Sequence, residues 1–170
     1  MSISVTAVQG DIIAQVVDAV VNAANRAMRG GGGVDGAIHR AGGPAILDDC
    51  VRRFPDGLAT GDAGWTTAGE LAAEWVIHVV GPNRHAGETD RDLLVSCYRR
   101  ALEVADELGA RTVAFPLVSA GVYGWSQEES VACALEAVGD AEAAGSRVEE
   151  ARLVAFDGRA LGVIQAALER

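Results

Sequence analysis

Between Asn22 and Gly36 the chain reads Asn-Ala-Ala-Asn-Arg-Ala-Met-Arg-Gly-Gly-Gly-Gly-Val-Asp-Gly. An amide at Asn25 and a carboxylate at Asp35 thus flank the run Gly30 to Gly33. Glycines lose the most backbone entropy on folding, so a folded domain keeps a run of them where its backbone must approach a ligand closely. A helical pattern follows from Val34 to Ala41, and the run therefore feeds a helix N-terminus. Backbone N–H groups in that arrangement bind phosphate with no cation required. Asp35 has two readings: a cap or macrodipole partner at the helix start, or a carboxylate aimed at whatever the glycines hold. Gly31-x-Gly33-x-x-Gly36 also has the form of the dinucleotide fingerprint. In that motif the strand runs straight into the glycines. Here Asn25 to Arg29 intervene, which makes a nicotinamide-dependent oxidoreductase a poor rival.

Composition removes other classes. The 14 basic residues are all Arg, and against 24 acidic residues they leave a net charge of −10. Without Lys there is no Schiff-base nucleophile and no Walker A loop, and the net charge is the wrong sign for a bare nucleic-acid backbone. A diphosphate remains compatible, because dipoles rather than cations would hold it. Cys50, Cys97 and Cys133 are odd in number and far apart, and His39, His78 and His85 show no ligand spacing. Neither a disulfide framework nor a metal site is expected. Met1 to Gly10 does not read as a signal peptide, and Ile12 to Val21 is too short and too polar to span a bilayer. The expectation is a reduced, cytoplasmic, soluble protein, with no membrane partner and no surface pattern that demands more than a monomer. At 170 residues and 49% hydrophobic content, it suits one domain over 1–170.

Short apolar runs alternate with longer amphipathic ones. Ile3 to Val8, Ala19 to Ala23, Trp75 to Val80, Thr112 to Phe115 and Leu153 to Phe156 read as largely buried strands. Thr89 to Leu108, Ser126 to Ala144 and Gly158 to Leu168 read as helices, the second opening on the capping-box spelling Ser126-Gln127-Glu128-Glu129. The alternation implies a largely parallel sheet with helices on both faces. Ligands then bind beyond the carboxyl ends of the strands, so the loops there should carry the chemistry.

Several segments in order resemble the macrodomain family, specifically its MacroD-type ADP-ribosyl-hydrolase branch. They are Val8 to Ile12, Val20 to Asn25 followed by Gly30 to Asp35, Ile38 to Pro44, Thr60 to Ala63, Trp75 to Pro82, and Phe115 to Gly124. The resemblance implies a three-layer α/β/α sandwich around a mixed, roughly six-stranded sheet. It implies ADP-ribose as ligand, with no cofactor and no metal. Asp11 would accept from the adenine amino group with help from the Ile12 backbone, and Phe156 would pack beside the adenine; without the resemblance, Asp11 reads as a cap and Phe156 as core. Asn22, Gly32, Gly33 and Val34 would form the first substrate loop. Ser119, Ala120, Gly121, Val122 and Tyr123 would form the second, with the amides of Gly121, Val122 and Tyr123 as donors and the Tyr123 ring covering the distal ribose.

The activity implied is removal of ADP-ribose from acidic side chains of modified proteins and hydrolysis of O-acetyl-ADP-ribose. Asn25 would bind the distal ribose, and Asp35 would activate a water. ADP-ribose linked to nucleic acid, at a base or terminal phosphate, is an alternative substrate, and a non-catalytic ADP-ribose reader is an alternative function. Departures from the family pattern are Ala120 for a common Thr, Trp125-Ser126 for an aromatic-Pro pair, and Arg26 and Arg29, which read as solvated loop charges. His78, inside an apolar strand, reads as a core histidine.

Overall fold

The computed structural model describes residues 2–170; Met1, the first residue of the expected domain, lies outside the described residues. Six strands form one sheet in the order β1-β6-β5-β2-β4-β3. They are β1 (Ser4–Gln9), β2 (Ala19–Ala24), β3 (Ala63–Thr67), β4 (Trp75–Val80), β5 (Thr112–Phe115) and β6 (Glu150–Ala155). Every pairing is parallel except β3 with β4. The helices are α1 (Gly33–Gly42), α2 (Pro44–Arg53), α3 (Arg91–Leu108), α4 (Gln127–Ala143) and α5 (Gly158–Leu168). The expected mixed α/β sandwich is the architecture found.

Alternation along the strands builds two cores. Ala19 and Val21 of β2, with Ile77 and Val79 of β4, face Leu94, Tyr98 and Leu102 of α3 and Val131 of α4. Val20 and Ala24, with Val76 and Val80, face Ile38 of α1 and Ile46 of α2. The same parity turns Asn22 and His78, paired in register, toward α1 and α2. Residue types thus decide which strand face carries the polar pair.

Five of the expected strands and four of the expected helices are present, with shifted ends. β6 begins at Glu150 and stops at Ala155, which puts Phe156 outside the strand. Two elements gave no clear pattern. The α2 sequence buries only Ile46, Asp49 and Cys50 and leaves Leu47 and Val51 exposed, so its apolar stripe is thin. β3 is short, contains Gly64 and lies at the sheet edge. At that edge the Thr67 N–H is taken by the Asp49 carboxylate at 2.8 Å and the Ala63 N–H by Asp62 at 2.8 Å, which blunts the strand against further pairing. The expected capping box of α4 is closed, with Glu129 N–H donating to Ser126 Oγ at 3.0 Å and Ser126 N–H to Glu129 Oε1 at 3.2 Å. Such a cap contributes roughly 0.5–2 kcal/mol.

Candidate active site

The segments that follow the carboxyl ends of all five parallel strands meet at one edge of the sheet. A cavity of about 530 Å³ is lined by Asn25, Gly31 to Asp35, Gly81, Pro116 to Tyr123 and Phe156. A second, of about 350 Å³, adjoins it and is lined by Gly10 to Ile12, Gln127 and Val154. Gly33, Val34, Ala120, Gly121 and Phe156 border both, so the two form one elongated cleft. Among the described residues, Asp11 and Asp35 are the only ionisable ones other than Tyr123 that line it, and no arginine does.

One wall is the glycine loop. Helix α1 starts at Gly33 and its N-cap, Gly32, supplies no side-chain hydrogen bond, so the first N–H groups of the helix are open. Gly33 has φ +56°, a left-handed conformation that a branched residue resists. A Cβ on Gly32 or Gly33 would meet no atom within 4 Å and would project into open space. The loop leading in is held by Asn25, whose Oδ1 accepts from Met28 N–H at 3.3 Å and whose Nδ2 donates to the Gly30 carbonyl at 3.2 Å. Arg29 donates to the carbonyls of Ala27, Met28, Phe54 and Pro55, and Arg26 bonds Thr60 and pairs with Glu88. The two arginines are exposed loop charges, as expected from sequence, and they also clamp this loop.

Asp35 is 5% exposed at the first turn of α1. Its Oδ1 accepts from Asn22 Nδ2 at 2.8 Å and lies 3.3 Å from His39 Nε2, one turn along the helix. Its Oδ2 faces Gly31. A Cβ there would lie 3.1 Å from Asp35 Oδ2 and 3.3 Å from Asn25 Nδ2, so only a glycine leaves the space between carboxylate and amide clear. Asn22 departs from expectation. It is fully buried and lines neither cavity, because strand parity turns its side chain under α1, where it holds Asp35 instead of a ligand. Behind it, His78 Nδ1 lies 3.0 Å from Asn22 Nδ2, and His78 Nε2 lies 2.8 Å from Thr66 Oγ1 and 3.9 Å from Cys50 Sγ. Burial, helped by the neighbouring His39, pushes the His78 pKa down to about 3, and burial pushes the Cys50 thiol up to about 11. His78 is therefore a neutral, satisfied core histidine.

The opposite wall is the loop after β5. Ser119 has φ +63° and is 7% exposed, and its buried Oγ has no partner. Non-glycine residues held in that region cluster at functional sites. The loop closes on itself through Gly124 N–H to the Gly121 carbonyl at 2.9 Å, Trp125 N–H to Ser119 at 3.3 Å and Gly121 N–H to Trp125 at 3.4 Å. Of the three amides expected as donors, that of Gly121 is thus turned back into the loop. Those of Val122 and Tyr123 have no protein partner among the described residues. Arg84 braces the outside: its N–H donates to the Tyr123 carbonyl at 2.9 Å, and its guanidinium lies 4.0 Å over the Trp125 ring and pairs with Glu129. At the far end, Asp11 caps a short 3-10 turn through Oδ1 to Ile13 N–H at 3.2 Å. Phe156 is 78% exposed, so it belongs to the cleft rim and not to the core.

All the residues expected to catalyse or to bind substrate, apart from Asn22, border the cleft. The residues missed are His39, legible as the i+4 neighbour of Asp35 on one helix face, and Thr66, which only strand pairing brings near. Among the described residues no group of three or more His, Cys, Asp or Glu side chains is placed to hold a metal ion.

Fold and cleft together define a macrodomain: the Macro domain family model matches residues 21–134, and the chain belongs to that family. It is 54% identical over 168 residues to the Macro domain-containing protein SCO6450 of Streptomyces coelicolor, covering 96% of this chain and 98% of that one. It is 45% identical over 156 residues to O-acetyl-ADP-ribose deacetylase 1 of Pantoea vagans, covering 90% and 91%. Among solved structures, the Trypanosoma brucei macrodomain in complex with ADP-ribose superposes with TM-score 0.89 at 33% identity, covering 96% of this chain and 68% of that one. The Oceanobacillus iheyensis macrodomain with ADP does so with TM-score 0.88 at 36% identity, covering 96% and 88%.

Proposed function

We propose that this protein binds ADP-ribose in the cleft and is a mono-ADP-ribosyl hydrolase, releasing ADP-ribose from acidic side chains of modified proteins and hydrolysing O-acetyl-ADP-ribose. One observation carries the catalytic part: a free carboxylate oxygen, Asp35 Oδ2, and the Asn25 amide converge over Gly31 beside the open N-terminus of α1. The relatives named for ADP-ribose and for deacetylase chemistry support the ligand and the reaction class.

In this reading the diphosphate lies against the amides of Gly32 to Val34 on one side and Val122 and Tyr123 on the other. The adenine reaches Asp11, Ile12 and Phe156. The distal ribose then lies at Asn25, Gly31 and Asp35. A water between Asp35 Oδ2 and the anomeric carbon gives its proton to Oδ2 as its oxygen attacks. The bond from that carbon to the acyl oxygen breaks, and the leaving carboxylate carries away the electron pair. Positive charge grows on the sugar in the transition state, which the carboxylate stabilises. The leaving group is already a stable anion, so no strong general acid is required. For an acetyl ester on a ribose hydroxyl, the same water can attack the acyl carbon. The net charge and the absence of arginine from the cleft favour protein-linked over nucleic-acid-linked substrates.

The test is release of ADP-ribose from a Glu-linked conjugate. Asp35→Ala is expected to slow it by about 10²–10⁴-fold, the usual span of general-base assistance, with ADP-ribose affinity kept within about tenfold. Undiminished turnover removes Asp35 from the mechanism. Binding without turnover by the unaltered protein makes it a reader.

A further inference from the structure

Asp35 can serve as a base only if one oxygen is held and the other left facing the cleft, and a chain of buried side chains behind it does the holding. Asn22 Nδ2 reaches Asp35 Oδ1 at 2.8 Å and His78 Nδ1 at 3.0 Å. His78 Nε2 reaches Thr66 Oγ1 at 2.8 Å, and that hydroxyl reaches the Thr67 carbonyl at 3.0 Å. These residues come from three adjacent strands, β2, β4 and β3. Asn22 and Thr66 are fully buried and His78 is 1% exposed, so none of the three touches a ligand in the cleft.

Only one direction of donation satisfies the chain. A carboxylate accepts, so Asn22 must present its NH2 group to Asp35. Its second hydrogen then points at His78 Nδ1, which must be the bare acceptor, and the ring proton sits on Nε2. That N–H donates to Thr66, and the hydroxyl proton goes to the Thr67 carbonyl. Reversing the amide would set its oxygen against a carboxylate. The arrangement leaves Asn22 Oδ1 buried with no partner, which a fold retains only if the other amide hydrogen bonds matter more.

We infer that His78 and Thr66 are positioning residues for Asp35: they fix the Asn22 amide, which pins Oδ1 and leaves Oδ2 turned toward Gly31 and Asn25. The inference rests on the hydrolase reading for what Asp35 does, but the strut itself is a feature of the unliganded protein.

Two variants separate the ends of the imidazole ring. The amide of an Asn lies near where Nδ1 sits, and that of a Gln near Nε2. His78→Asn therefore keeps an acceptor for Asn22 and loses Thr66; His78→Gln does the reverse. We expect His78→Gln, which loses the Asn22 contact itself, to lower kcat about tenfold or more with ADP-ribose affinity within about twofold, and His78→Asn, which loses only the Thr66 anchor, to lower kcat less, by about threefold. Losses in the two variants that track their melting temperatures, or unaltered turnover in His78→Gln, would overturn the inference. A second readout needs no turnover and no variant. Nitrogen shifts of the unliganded protein should place the His78 ring proton on Nε2, and the Asn22 side-chain amide protons should exchange slowly. A proton on Nδ1 or fast exchange overturns the strut whether or not the protein hydrolyses anything. The expected tautomer and slow exchange in a protein with no esterase activity would uphold the strut and remove the hydrolase reading.

Discussion

Two depressions, each of about 530 Å³ or more, can be compared. One is the cleft, whose larger part is about 530 Å³; the other, of about 540 Å³, lies between α2 and the β3–β4 edge and is lined by Asp49, Arg52, Arg53, Trp65 and Trp75. In the second, the buried carboxylate is fully partnered. Asp49 Oδ2 accepts from Thr67 N–H at 2.8 Å, its Oδ1 accepts from Arg53 Nε at 2.9 Å and pairs with Arg52, and the Arg53 guanidinium lies 3.7 Å over Trp65. Burial opposes ionisation of Asp49, but the Thr67 N–H and the two arginines outweigh it and hold the carboxyl below its ordinary range. In the cleft the helix N–H groups are uncapped, and Ser119 Oγ and Gln127 Oε1 are buried without partners. Both sides offer about 530 Å³ of space or more. What differs is buried, unspent hydrogen-bonding capacity: among the described residues, the unpartnered buried side-chain atoms that line either depression are in the cleft.

Substitutions on the two sides test this contrast. Gly33→Val puts a branched side chain into a left-handed position and into the diphosphate path. It is expected to lower ADP-ribose affinity by about 10²-fold or more by calorimetry, since such backbone strain alone costs roughly 1–3 kcal/mol. Asp49→Ala strips the partner from two arginines and a backbone N–H. It should lower stability by about 1–3 kcal/mol in urea denaturation and leave ADP-ribose affinity unchanged. If the Asp49 variant, still folded, loses affinity, the two depressions are not independent.

A third effect is a pH slope. The folded-state pKa of His78, about 3, lies below its ordinary 6.5, chiefly through burial and then through His39, with the Asp49 charge opposing. Between those values the unfolded chain binds a proton that the folded protein refuses. Stability from this group is therefore complete above pH 6.5 and falls as pH drops toward 3, by about 1.4 kcal/mol per pH unit. His78→Asn should flatten that part of the curve relative to the unaltered protein. Identical slopes would show that His78 titrates normally. The smallest effect is that of salt. A cradle of neutral dipoles in a protein of net charge −10 should bind ADP-ribose with affinity flat or slightly rising as ionic strength increases. A steep fall with salt would point to arginine contacts.

How much of this the residues declare by themselves differs between the walls. The glycine run, Asn25 and Asp35 are legible because their function depends on local backbone, and eleven residues contain both groups and the loop between them. Phe156 is ambiguous: a Phe after an apolar run reads as core until the strand is seen to end at Ala155. Asn22 misleads, because its motif neighbours face the ligand while strand parity turns its own side chain beneath α1. The strut through His78 and Thr66 cannot be read from spacing. Residues 22, 66 and 78 meet only through the register of three strands, one of them the antiparallel edge that showed no strand pattern.

A crystal structure with ADP-ribose would show whether peptide dipoles grip the diphosphate while Asp35 faces the sugar. The diphosphate should lie within hydrogen-bonding distance of the amides of Gly32 to Val34 and of Val122 or Tyr123, with Asp35 Oδ2 nearest the anomeric carbon. A nucleotide seated against α2 and the β3 edge, or an Asp35 carboxylate turned out to solvent in the complex, would contradict this arrangement.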